Sequence, residues 1–542
     1  MERRTMRLVK LVPLAAALMV ASSCVDLDVT NPNNPDRERV LSDPGDVESL
    51  ISTSFRAYYN NSAQTNPNIP TSAMAETLTG GFFDFSVHDL TTIPRSPWDN
   101  SPLNTRGGTA RFSWDRLYTV ISNVNDGLQA IDGGLRIEDS AGNDSTERAR
   151  AFAKFVQGIS HGFLGKFADQ GLIVDENTDL ETLDPTGFVP WQEMVAASLE
   201  QLAEARAIAQ ANTFQIPGSS DWINGVPLSN QDLVRLINTF EARILAYSPR
   251  TVEERDAVDW DRVIDLLQNG IQQDFGPTGL TGAWENNMAR LTARVRVATR
   301  PGDHVRMNYM ALGPGDVSGG FQEWFNTPPD DRRPFLMDSP DRRIQGPGGR
   351  EERGSYFGYS PDNIWPAARG TYRWSHYFFH RFGLEDTWNT GRQVMIAKAE
   401  VDLLLAEALI RRGRAEEAVS LINNSRVANG QLPPVTIDGP PEAEDCVPRK
   451  FSSGACGSLW DALQHERNME LAVTEGVMMW WHARGVGTLR EGTPVHFPVN
   501  GVELENLGLP IYTFGGVGGQ GAAPAPQYHR CPPGSALARC GP

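Results

Sequence analysis

Catalysis needs nucleophiles, bases or ligands at workable spacing, and this sequence supplies few such sets. His465-Glu-Arg-Asn-Met lacks the second histidine with which His-Glu-x-x-His grips zinc from one helix face. His376 and His380 stand four apart, a spacing that shares a helix face, but no third ligand accompanies them. Gly315-Asp-Val-Ser-Gly-Gly carries an inserted Val relative to a serine-nucleophile turn. Gly515-Gly-Val-Gly-Gly-Gln-Gly has no Lys or Ser/Thr to hold a phosphate and reads as a flexible tail. Glu466, Arg467 and Glu470 lie on one side of a helix, where structural salt bridges are the expectation. Nothing marks a carboxylate pair for glycoside hydrolysis. The expectation is a protein that is not an enzyme, with no catalytic residue, metal or cofactor.

Binding chemistry is better supplied. Sugars present apolar C–H faces and many hydroxyls, so their sites combine aromatic rings with planar hydrogen-bonding groups. Of 13 Trp, Trp114, Trp191, Trp260, Trp460, Trp480 and Trp481 fall on helical patterns and read as packing. Trp98, Trp222, Trp284, Trp324, Trp365, Trp374 and Trp388 fall in loops. The leading ligand-binding candidates are Trp98 with Asp99 and Asn100, Trp324 with Asn326, and then Tyr356 and Tyr359.

The elements that must position these residues are mostly helices. Apolar residues recur at helical spacing over 46–60, 112–131, 145–169, 190–211, 230–247, 260–271, 393–412, 415–428 and 458–484. Convincing β-alternation is scarce, so the fold class is mainly all-α. Gly413, followed five residues later by the small Ala418, resembles the tetratricopeptide helix–turn–helix. Residues 274–389 differ, being rich in Gly, Pro, Arg and aromatics, including Tyr372. A structureless loop of that length is rare in a compact body, so an irregular subdomain against the helices is expected.

The 542 residues carry 49 basic and 67 acidic side chains, a formal charge of −18. With 40% hydrophobic and 21% charged residues the chain reads as folded. Its acidity disfavours nucleic acid, whose phosphates demand clustered Lys and Arg. The exception to the acidity is the start, where Arg3, Arg4, Arg7 and Lys10 precede an apolar run over residues 11–20. That run is too short to span a bilayer and is followed by small residues, the pattern of a secretory signal peptide. Its exit, Val20-Ala-Ser-Ser-Cys24, resembles the lipobox of bacterial lipoproteins. By that resemblance Cys24 is the lipidated N-terminus of a mature chain of charge −21. Cys446, Cys456, Cys531 and Cys540 allow three pairings in an oxidising compartment, and the two short loops 446–456 and 531–540 are preferred. A zinc site is the rival, without Cys-x2-Cys or suitably spaced His to support it.

Together these residues resemble the SusD/RagB-like outer-membrane lipoproteins. The resemblance rests on Cys24 followed by Asp26-Leu-Asp-Val-Thr-Asn-Pro, and on Trp114-Asp-Arg-Leu-Tyr. It continues through Ala399-Glu-Val-Asp-Leu-Leu-Leu-Ala-Glu-Ala-Leu, Glu466-Arg-Asn-Met-Glu-Leu-Ala, and Glu475-Gly476 ahead of Trp480-Trp481. It implies a tetratricopeptide-like scaffold with a less regular ligand-binding region. It also implies a lipid-anchored, surface-exposed outer-membrane protein that captures a glycan and passes it to a TonB-dependent barrel transporter. Capture of peptides is the alternative within the family, and a lipid-anchored hydrolase the alternative outside it. The expected organisation is a signal peptide (1–23), tether (24–44), N-terminal helical part (45–273), aromatic-rich insertion (274–389), C-terminal helical part (390–490) and Gly/Pro-rich tail (491–542). The stretch 159–167 departs from the Tyr-rich pattern of relatives, and segments 446–456 and 531–540 look like additions.

Overall fold

Apolar stripes at helical spacing are satisfied only when helices pack on one another, and here each packs on its successor. The computed structural model describes residues 37–80, 86–292, 296–297, 300–301, 305–361, 374–381 and 389–541. Cys24, Trp365, Tyr372 and Trp388 lie outside the described residues. The principal helices are α1 (Pro44–Ser52), α2 (Ser54–Ala63), α3 (Thr65–Met74), α4 (Gly108–Asp132), α5 (Thr146–Phe167) and α6 (Trp191–Ala211). They continue with α7 (Asn230–Tyr247), α8 (Trp260–Gln268), α9 (Lys398–Arg411), α10 (Ala415–Ala428), α11 (Leu459–Glu470) and α12 (Gly476–Val486). From α4 to α10 every helix contacts the next, α11 rests on α9 and α10, and α12 returns to α3. The fold is mainly all-α, its strands being pairs two or three residues long.

The longest buried run is in α5, covered on every side from residue 151 to 167. Such a helix needs small residues where its neighbours cross. A Cβ at Gly158 would stand 2.8 Å from Leu202 of α6, and one at Gly162 would stand 2.6 Å from Ile244 of α7. Gly158 and Gly162 are thus what lets three helices close up. At the α9–α10 turn Gly413 takes the left-handed φ of +71°, and Ala418 is fully buried.

Two stretches expected as single helices are each divided. The 46–60 stretch breaks at Thr53, where the Thr53 and Ser54 hydroxyls donate to the Ser49 and Leu50 carbonyls at 2.8 and 2.7 Å. Such back-bonding competes with the helix ladder. The 458–484 stretch breaks between α11 and α12, with Val473 at φ +62°. The break swings Glu475 out of the helix, so that its carboxylate accepts from Arg243 and from Ser62 Oγ.

The insertion builds a second core. β1 (Leu78–Thr79) pairs antiparallel with β2 (Arg306–Met307), and β3 (Phe357–Tyr359) with β4 (Tyr377–Phe379). Met307, Tyr309, Phe321, Trp324, Met337, Phe357 and Phe379 pack there with Met469 from α11. Arg343 locks this body to the helices. Fully buried, it donates to Asp341 at 2.9 and 2.7 Å, to Glu466 at 2.6 and 2.9 Å, and to Glu470 at 2.9 Å. Glu466 and Glu470 therefore do carry structural salt bridges, but their partner comes from the insertion rather than from their own helix. Arg467 instead donates to Tyr247 Oη at 2.8 Å.

The segment 515–521 is a packed turn, which corrects its reading as a flexible tail. Gly515 N–H donates to the Gln520 carbonyl at 2.9 Å and Gly516 N–H to the Gly492 carbonyl at 2.8 Å. Gly516 sits at φ +81° with Pro97 so close that a Cβ would lie 2.8 Å from it.

Two outcomes follow for stability. Replacing Arg343 by Met leaves buried carboxylates without their cation and should cost about 3–5 kcal/mol in denaturant unfolding; a loss under about 1 kcal/mol would show that Arg343 is dispensable. The second concerns His161, which lies between Gln201 Oε1 (2.9 Å, from Nδ1) and Val174 N–H (3.4 Å, to Nε2). Burial pulls it down to about 4, His496 down to about 3, and His482 well below the usual histidine range. Between pH 6.5 and 4 the unfolded chain binds protons that the folded chain refuses, so stability falls as pH falls. His161→Gln should flatten that slope by about 1.4 kcal/mol per pH unit, the value of one proton; an unchanged slope would mean that His161 titrates normally in the fold.

Candidate functional site

The loop that connects residue 98 to α4 shapes its own surface. Asp99 Oδ1 accepts from Ser101 N–H at 3.0 Å, Asn104 Oδ1 accepts from Arg106 N–H at 2.9 Å, and Asn104 Nδ2 donates to the Asp99 carbonyl at 2.7 Å. Arg106 forks onto Asp89 at 2.8 and 3.0 Å. With these groups engaged locally, the loop holds its course while Leu103 stays 88% exposed and Phe112 42% exposed. Asn500, Gly501 and Val502 form the facing rim of a groove of about 530 Å³.

Asn100 fixes that rim. Its amide nitrogen donates to the Val499 and Tyr512 carbonyls at 2.9 and 3.0 Å, and its oxygen accepts from Gly501 N–H at 3.0 Å. A buried amide so fully used has little left for a ligand, so Asn100 is a clamp rather than a contact. Trp98, only 3% exposed, meets Phe497 edge to face at 5.2 Å, and its backbone N–H donates to the Phe514 carbonyl at 2.9 Å. The expectation of a Trp98 stacking platform is corrected: the ring is packing beneath the groove, while Asp99 remains exposed on its wall.

The other candidates do not join this groove. Trp324 is 5% exposed, stacked on Phe321 at 6.1 Å with the Arg332 guanidinium 4.3 Å above its ring. It too is a core residue, for the physical reason that the insertion needed an aromatic centre of its own. Asn326 is exposed and donates to the Ser452 carbonyl at 3.3 Å. Tyr356 is buried, its hydroxyl donating to Glu470 Oε2 at 3.1 Å under the Arg381 guanidinium at 4.1 Å. Burial, above all, raises that phenol above its ordinary range. Tyr356 thus belongs to the Arg343 cluster and not to a ligand surface. Tyr359 is half-buried on β3, edge to face with His376 at 5.5 Å. His376 and His380 flank strand β4 rather than riding a helix, and His380 Nε2 bonds the Gly354 carbonyl at 2.9 Å. Disulfides join Cys446 to Cys456 and Cys531 to Cys540.

Phe112 and Leu103 were missed as candidates, although one signal pointed to Phe112. It lies on the far side of α4 from the buried stripe of Trp114, Leu117, Ile121 and Val124, so its ring has no core to enter. An aromatic on the polar face beside a Gly-rich helix start is a surface ring. The charges around it are paired, Arg111 with Asp115 at 3.2 Å, while the Arg116 guanidinium lies 5.4 Å from the Phe112 ring. The groove therefore offers one ring, one apolar side chain, the exposed Asp99 carboxylate, and hydroxyl and amide groups from Ser101, Asn104 and Thr105, with Arg106 and Arg111 at its edge already paired.

No family model matches the sequence, and no curated protein is matched by it. Solved structures are similar. A SusD superfamily protein from Bacteroides vulgatus gives a TM-score of 0.51 at 13% identity, over 86% of this chain and 97% of that one. A SusD-like carbohydrate binding protein from Bacteroides fragilis gives 0.52 at 14%, over 84% and 90%. A SusD superfamily protein from Bacteroides thetaiotaomicron gives 0.50 at 14%, over 86% and 92%. The helix-on-helix succession, the insertion packed against it and these superpositions agree: the chain has the SusD fold.

Proposed function

We propose that the chain is a non-catalytic member of the SusD/RagB-like family, anchored to the outer membrane through Cys24, that captures an oligosaccharide and delivers it to a TonB-dependent barrel transporter. The observation that carries the reading is the fold itself together with the groove on it, in which Phe112 is exposed beside neutral hydrogen-bonding groups. A sugar's C–H face lies on the ring, and its hydroxyls meet Ser101, Asn104 and Thr105. The similarity to a structure described as a SusD-like carbohydrate binding protein supports the same ligand class. The lipobox-like sequence before Cys24 supports the anchor, and among the described residues no helix is long and apolar enough to cross a membrane.

Purified protein should bind a glycan from a polysaccharide panel and return it unconverted; turnover by the pure protein would instead establish a hydrolase. Phe112→Ala removes about 50 Å² of stacking surface, about 1.3 kcal/mol, and should weaken that binding about tenfold. Retained affinity in Phe112→Ala would place the glycan elsewhere, and selective binding of peptides would favour the other ligand class. Cys24→Ala should shift the protein from the membrane to the soluble fraction of its cells. Persistent attachment would overturn the anchor.

A further inference from the structure

A second recess shares no lining residue with the groove and is built by the parts of the chain that look like additions. Its floor is α11, whose Trp460, Gln464 and Asn468 recur every fourth residue, and the His482 face of α12. One disulfide loop and the segment that leads into the other wall it. Arg449 and Phe451 lie inside the Cys446–Cys456 loop, while Tyr528 and His529 immediately precede the Cys531–Cys540 loop. His529 joins the walls, its Nδ1 pairing with Asp461 Oδ1 at 2.8 Å and its Nε2 accepting from Phe451 N–H at 3.0 Å. It does so at φ +64°, a backbone conformation that a non-glycine residue keeps only when its surroundings hold it there. The cavity measures about 100 Å³, within about 870 Å³ counted to its mouth.

The hydrogen-bond inventory of this recess is incomplete in a specific way. Arg255 Nη2 donates to His482 Nδ1 at 3.3 Å, so the His482 proton sits on Nε2 and is given to Gln464 Oε1 at 2.6 Å. That fixes the Gln464 amide and leaves its Nε2 donors buried without a partner. The next residue, His465, is 2% exposed and bonds Asp341 through Nε2 at 2.8 Å, which leaves its Nδ1 buried and unmatched. From the facing wall, Arg449 Nε is a third buried group with no partner. These three groups converge on one cavity from α11 and the facing wall, and a ligand that both donates and accepts completes the set. The charges are otherwise balanced. Of the four charged residues lining the recess, Glu76 pairs with Arg490 at 2.6 Å, Asp461 with His529, and Arg530 with Asp256 at 2.8 Å, so two acids face two arginines.

We propose that this recess binds a single neutral polyhydroxylated ring, a free monosaccharide or cyclitol, independently of the polymer-sized groove. One hydroxyl bonds His465 Nδ1, others accept from Gln464 Nε2 and Arg449 Nε, and a C–H face lies against the half-buried Tyr528 ring. Hydroxyls suit the site because each both donates and accepts, and the balanced lining gives no net charge for an ionic ligand to neutralise. The enclosed volume admits one ring and excludes a chain.

The test titrates the full-length protein with glucose, galactose, xylose and myo-inositol at millimolar concentration, with acetate and phosphate alongside, and follows amide hydrogen exchange. One of the neutral rings should bind one to one and slow exchange in residues 460–468 and 527–530. Gln464→Met should cost that ligand about tenfold in affinity. Should this variant not fold, the exchange protection in the unaltered protein decides alone. The proposal is overturned if no neutral ring protects those segments, if a folded Gln464→Met binds as tightly as the parent, or if acetate or phosphate alone gives the protection. Protection of residues 98–112 by the monosaccharide would assign it to the groove, overturning this site and leaving the polymer reading standing. Protection of 460–468 without any polymer binding would do the reverse.

Discussion

Arg343 is the constraint on which the arrangement of the two cores depends. Its guanidinium has no access to water, and Asp341, Glu466 and Glu470 compete for its five N–H groups. Asp341 is held well below the usual carboxylate range, chiefly by the Arg343 charge working against burial. The insertion supplies the cation and Asp341, while α11 supplies the two glutamates, so neither body can satisfy its charges alone. Tyr356 and Arg381 extend the cluster, both binding Glu470. A planar fork accepts partners only in its own plane, and the docking angle of the insertion on α11 follows from that geometry.

The same device recurs along the helix stack. Arg243 on α7 donates to Glu400 on α9 at 2.8 Å and to Glu475 ahead of α12, and Arg255 forks onto Glu407 of α9 at 2.9 and 2.8 Å. Replacing buried pairs by well-packed apolar residues often leaves stability unchanged or higher, so burial of these charges is not what makes the fold stable. What they determine is register. Leucine faces tolerate sliding, but a helix that slid by one residue here would leave a buried cation facing carbon. Glu475 shows the consequence, since reaching Arg243 from outside the helix is what divides α11 from α12.

Much of this was legible in the residue pattern, and what was not has a physical cause. Helix positions followed from apolar spacing, and 230–247 and 415–428 matched to the residue because each is bounded by a cap or a turn. The divisions at Thr53 and at 471–475 were hidden, since the hydroxyl and carboxylate bonds responsible have partners that periodicity does not reveal. Trp98, Asp99 and Asn100, read from the sequence as ligand contacts, do line the candidate groove, but Trp98 is packing and Asn100 a clamp. Whether a loop tryptophan faces solvent depends on what folds over it, and Phe497 and Phe514 come from some four hundred residues away. Phe112 was the more readable residue, because its place off the buried stripe of α4 is a local property.

The C-terminal 50 residues link these points. Composition marks them as a linker, with their many Gly and Pro, yet they cover Trp98 through Phe514, hold Asn100 through Tyr512 and form one rim of the groove through Asn500–Val502. Further on, Tyr528 and His529 close the second recess against the Cys446–Cys456 loop. Glycine here serves turns that a side chain would block, and proline stiffens the runs between them, so the composition of a linker serves a segment that must bend sharply and then stay in place. The groove and the second recess are thus both finished by the last segment. The helical stack supplies the floor, through α4 under the groove and through α11 and α12 under the recess. The recess and the ion pairs are joined at His465, whose ring lines the cavity and also binds Asp341 of the Arg343 cluster.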